Sequence, residues 1–125
     1  MWLLNKRKSD EHKESRNKRV KWMPNDAGWR LYGHINLLCG CPVYFIFGEP
    51  TDMPNPPDDA TAAQARNMAK TIRLRLLESD GRAERMKLLI QRTKGLFAGG
   101  PEDMRQYVAS YASFLDNCQG YRLLF

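Results

Sequence analysis

Two short stretches of this chain carry side chains whose types and spacing could do chemistry. Cys39-Gly40-Cys41, with His34 five residues upstream, is the one cluster of soft ligands. Zinc asks for about four tetrahedral nitrogen or sulfur ligands, and the only distant additions are His12 and Cys118. A single Cys-x-Cys lacks the second paired spacing of a zinc module, and cysteine is among the most often buried residue types. His34, Cys39 and Cys41 are therefore metal candidates of low weight, and buried structural cysteines are the expectation. Asp58-Asp59 is an adjacent carboxylate pair, but two acids before an Ala-rich run more simply cap a helix. The chain has no Gly-rich loop followed by Lys-Ser/Thr, no His-Glu-x-x-His and no Gly-x-Ser-x-Gly. A non-enzymatic protein is expected, with no cofactor and no small-molecule substrate.

Cations are the stronger signal. The chain's 125 residues carry a net charge of +6, with 20 Lys+Arg against 14 Asp+Glu, and it is unevenly spread. Residues 1–23 hold eight basic and three acidic side chains; residues 66–94 hold nine and three. Between them, residues 24–65 hold one and five, and residues 95–125 hold two and three. Two basic blocks around an acidic one speak of partners rather than of fold.

The first block includes Lys6, Arg7, Lys8, Lys18, Arg19 and Lys21, in a stretch whose only apolar residue between 5 and 21 is Val20. Such a stretch can bury little surface, so a disordered basic tail over 1–23 is expected. Lys6-Arg7 and Lys18-Arg19-Val20-Lys21 are spaced like a bipartite nuclear localisation signal. Trp2, Leu3 and Leu4 beside those cations suit contact with an anionic membrane surface. The second block is Arg66, Lys70, Arg73, Arg75, Arg82, Arg85, Lys87, Arg92 and Lys94. Only Glu78, Asp80 and Glu84 offset it, so pairing within the block leaves most cations unmatched. If its two halves pack antiparallel, these side chains line one surface suited to phosphates. Aromatics are absent from 66–94, which favours backbone contact over base readout.

The elements that must position these residues follow from periodicity and punctuation. Trp29, Leu31, Gly33, Ile35 and Leu37 alternate with Arg30, Tyr32, His34 and Asn36, which predicts a strand over 29–38. The run Val43-Tyr44-Phe45-Ile46-Phe47 predicts a second strand over 42–47, and 121–125 is a candidate third. Pro54-Asn55-Pro56-Pro57 reads as a stiff connector. Ala62, Ala65, Met68, Ala69, Ile72 and Leu76 share a helical stripe, so a helix over 59–79 is expected. A helix over 82–97 follows Gly81, the alternative across 71–90 being a β-hairpin turned at Ser79-Asp80-Gly81. Pro101, Glu102 and Asp103 open a helix over 101–118, whose face is Met104, Tyr107, Val108, Tyr111, Phe114, Leu115 and Cys118.

The expected fold class is thus α+β, a small antiparallel sheet packed on two or three helices, with one globular domain over 24–125. Residues 31–48 carry no Lys, Arg, Asp or Glu, but their densest part is thirteen residues, short of a bilayer span. The start runs apolar before basic, the reverse of a secretory signal. An intracellular protein is expected, nuclear or peripheral on the inner face of a membrane. The function these features favour is a small nucleic-acid-binding protein in a larger assembly. The alternative is a matrix-like structural adaptor that binds anionic membrane and protein partners and self-associates as an oligomer.

Overall fold

The computed structural model describes residues 2–5, 21–22, 26–45, 47, 52 and 54–124. In chain order these form β1 (Trp2–Asn5), β2 (Lys21–Trp22), helix α1 (Asp26–Cys39), β3 (Tyr44–Phe45), β4 (Pro54–Asn55) and β5 (Asp59–Thr61). Helix α2 (Ala62–Arg73) then runs into a π-helical turn (Leu74–Glu78), followed by α3 (Arg82–Arg92), α4 (Pro101–Asn117) and β6 (Gly120–Leu124). The fold is α+β.

The principal sheet is antiparallel, in the order β2-β1-β6-β5. Leu3 sits opposite Leu123 and Ala60 opposite Tyr121. A second, two-stranded sheet pairs Tyr44 with Asn55 and Phe45 with Pro54. The strand expected at 121–125 is therefore present as β6. The strand expected at 42–47 shrinks to the two residues of β3, and the Pro-rich connector supplies its partner β4. Within the segment expected as a tail, Trp2–Asn5 and Lys21–Trp22 pair in this sheet; residues 6–20 between them lie outside the described residues.

The strand expected over 29–38 is a helix. Alternation of apolar and polar residues placed Tyr32 and Asn36 on a solvent face, yet both are buried beside Leu31, Ile35 and Cys39. Positions 31, 32, 35, 36 and 39 form one stripe at helical spacing. The pattern failed because its polar members are core residues. Tyr32 stacks between Tyr107 and Tyr111, at ring distances of 5.2 and 4.3 Å. Asn36 accepts a 3.0 Å hydrogen bond from the Tyr111 hydroxyl and donates one of 3.3 Å to the Pro42 carbonyl. Gly33 lets this helix lie against β4: a Cβ there would stand 1.9 Å from the Pro54 carbonyl oxygen.

Helix α2 starts later than expected. Thr61, not Asp58 or Asp59, is its N-cap, in a capping box with Gln64. Its buried residues are Ala65, Met68, Ala69 and Ile72, continued by Leu76 in the π-helical turn. Gly81 then precedes a second helix, which resolves 71–90 as helical rather than as a β-hairpin. Helix α3 stops at Arg92, short of 97, where buried Thr93 donates its hydroxyl to the Leu89 carbonyl at 2.7 Å. Helix α4 packs along α2 and buries Met104, Val108, Tyr111, Phe114 and Leu115. Among the described residues, no helix is long and apolar enough to cross a membrane.

Candidate polyanion-binding surface

The cations of 66–94 are carried on α2, the π-helical turn, α3 and the turn after it. Helix α2 packs chiefly on α4, while α3 reaches α1, α4 and the π-helical turn, so the antiparallel pair expected of the two halves is replaced by separate dockings. Three groups result.

Arg66, Lys70 and Arg73 stand at i, i+4 and i+7 along one edge of α2, beside the C-terminal part of α4. Arg73 pairs there with Asp116 at 3.0 Å, both side chains a third or more exposed. Burial raises the Cys118 thiol pKa, and the Arg66 charge acts against that shift, which places Arg66 at the same end. Arg66 and Lys70 are exposed and have no carboxylate partner among the described residues.

The second group borders α1. Burial pushes the Cys39 thiol up to about 12, helped by Cys41 and opposed by the Arg75 and Arg85 charges. Arg92 lies near His34, whose pKa is lowered first by burial and then by that charge. Arg85 is half-buried and committed to the fold, since its Nη1 donates to the Arg75 carbonyl at 3.0 Å and to the Ser79 hydroxyl at 2.7 Å. Arg75 and Arg92 remain exposed, as do Lys87 on the outer face of α3 and Lys94 beyond its end.

The third group was not evident as a group in the sequence. Arg82 at the start of α3 and Arg105 in α4 rim one cleft of about 330 Å³. Arg105 lies in a segment of net −1 charge, which masks it in the charge distribution. The signal available was its place four residues after Pro101, one turn into a helix.

The remaining basic candidates are placed only in part. Lys6, Arg7, Lys8, Lys18 and Arg19 lie outside the described residues, and Lys21 falls in β2. Trp2, Leu3 and Leu4 lie in β1, between β2 and β6.

The soft-ligand cluster is dispersed. The end of α1 is a Schellman motif: Gly40 has φ 73°, its N–H donates to the Leu37 carbonyl at 3.2 Å, and the Cys41 N–H donates to the Asn36 carbonyl at 2.8 Å. Both thiols turn inward, and burial pushes Cys41 up to about 11. His34 stands about 140° around the helix from Cys39, at five residues' separation. Its Nδ1 is buried without a hydrogen-bond partner among the described residues. Among those residues no three His, Cys, Asp or Glu side chains come close enough to hold a metal. The space beside Cys41, about 220 Å³, is bordered by Gln64, Asn67 and Thr71 and by no charged side chain.

Comparison with protein-family models, with curated proteins and with solved structures finds no match to this chain.

Proposed function

We propose that this chain is a non-enzymatic nucleic-acid-binding protein that holds RNA or DNA by its phosphate backbone as one part of a larger assembly. The observation that carries the reading is a set of six exposed cations, Arg66, Lys70, Arg75, Lys87, Arg92 and Lys94, with no carboxylate partner among the described residues. An exposed guanidinium or ammonium without a partner gains most from a phosphate, because binding releases the counterions condensed on the polyanion. Their division among separate faces suits backbone contact, which needs positive potential rather than one shaped groove. It also limits how many act at once.

If one edge engages duplex DNA through about three phosphates, affinity falls about fortyfold between 50 and 200 mM salt. A chain that wraps nucleic acid around several faces loses about a thousandfold or more. Fluorescence anisotropy at the two salt concentrations separates the two modes. Affinity that does not fall with salt excludes phosphate contact altogether. The clusters Lys6-Arg7 and Lys18-Arg19-Val20-Lys21 extend the reading to nuclear import. Cytoplasmic retention of a fluorescent fusion after both clusters are changed to Gln is the expected result.

A further inference from the structure

The cleft between the starts of α3 and α4 has a composition that the exposed faces lack. Leu76, Ala83, Met86 and Pro101 make its apolar part, with Leu76 buried at the bottom. Arg82, Arg105 and Glu102 are its charged members. Among the described residues each guanidinium is held by a single contact: Arg82 Nη1 donates to the Ser79 carbonyl at 3.1 Å, and Arg105 Nη1 stands 3.8 Å from Glu102 Oε2. Each therefore keeps further N–H donors free to turn towards a ligand. At about 330 Å³ the space is at the small end of ligand sites, which run roughly from 300 to 1,000 Å³. It suits one ring system rather than a chain of them.

The geometry points to a site for one unpaired nucleotide of a single strand, its base in the cleft and its phosphate on Arg82 and Arg105. This rests on the phosphate-binding reading above and adds to it a preference for unpaired strands. The three kinds of surface match the three parts of a nucleotide. Apolar side chains and guanidinium planes pack on the faces of a base, a carboxylate accepts from an exocyclic amine, and arginines take the phosphate. Duplex DNA keeps its bases stacked and cannot fill the cleft, so the site discriminates by strand state.

The test is anisotropy of the full chain with a labelled oligodeoxycytidylate, whose bases carry the exocyclic amine, and with a duplex of the same length, together with titration of free deoxycytidine monophosphate. The proteins compared are the unchanged chain, Ala83→Trp, which fills the cleft from an exposed helix position, and Lys87→Gln, which removes a cation from the outer face of α3. Arg105→Gln, at another exposed position, serves if Ala83→Trp melts differently from the unchanged chain. Binding of the single strand about tenfold tighter than the duplex is expected, the advantage lost in Ala83→Trp with duplex affinity retained. Lys87→Gln weakens both strands together. Single-strand affinity intact in Ala83→Trp and Arg105→Gln overturns the cleft assignment while leaving phosphate binding standing. Absence of salt-sensitive binding to either strand overturns the phosphate reading itself. Binding of the free nucleotide alone, lost in Ala83→Trp, overturns the assignment to a strand and makes the cleft a mononucleotide site.

Discussion

The end of α1 and the shared start of α3 and α4 are both helix termini beside a small space, and they are built in opposite ways. At Cys39-Gly40-Cys41 the backbone closes on itself, the thiols point inward, and the side chains bordering the adjoining space are neutral. At Arg82 and Arg105 the helix starts leave a larger space between them, with charged groups at its edge and an apolar floor. The first arrangement completes the core, and the second leaves a surface unfinished. Residue types that suggest chemistry in a sequence, cysteines above all, are here committed to packing. The feature with unspent binding capacity comes from arginines far apart in the chain.

That contrast can be broken most forcefully at the closed end. Asn36→Ala removes the acceptor of the buried Tyr111 hydroxyl and the donor to Pro42, and a loss of about 3 kcal/mol in urea unfolding is expected. A loss under about 1 kcal/mol would show the network to be dispensable. The thiols give the pH dependence. The ordinary value for both is 9.0, and burial raises them to about 12 and 11 in the folded chain. The folded state thus holds protons that the unfolded state has released. Their contribution to stability is complete below pH 9 and is lost as pH rises towards 11 and 12. Each thiol steepens the fall by up to about 1.4 kcal/mol per pH unit, which denaturant melts across pH 8 to 11 would follow. Replacing both cysteines by Ala flattens that slope.

Smaller changes sharpen the comparison. Gly40→Ala meets no atom within 4 Å, so only the strain of φ 73° opposes it, at about 1 kcal/mol. Arg73→Ala loses a half-exposed ion pair and is expected to cost about 0.5 kcal/mol or less. At the open cleft, Ala83→Trp should leave the melting temperature unmoved and change binding alone. An end where loss of a buried polar partner costs most and an end that tolerates a large added side chain are what the two constructions imply.

How much of this could be read in advance depends on where each residue's partners lie. Helices α2 and α4 were legible because one face of each meets the core and the other meets solvent, leaving a clear period. The final strand was legible from its brevity after Gly120 and its apolar run. Helix α1 was not, since its buried stripe includes Tyr32, stacked on Tyr107 and Tyr111, and Asn36, whose amide oxygen accepts from the Tyr111 hydroxyl 75 positions later. The boundary at Arg92 was missed because Thr93 looks like any polar helix residue until its hydroxyl is seen to cap Leu89. Arg82 was noticed for its charge, but its pairing with Arg105 depends on where two helices begin in space.

Composition and local spacing by themselves determined the amphipathic faces of α2 and α4, the final strand and the uneven distribution of charge. These rest on neighbours within a turn or two of the same element, which the chain order states directly. Tertiary structure alone decided the helical state of 26–39, the sheet order β2-β1-β6-β5, the separation of the basic block into three groups and the existence of the cleft. Each of these is set by contacts between residues distant in sequence. The energy of such contacts depends on packing and on which polar groups find partners, and neither is written in any local pattern.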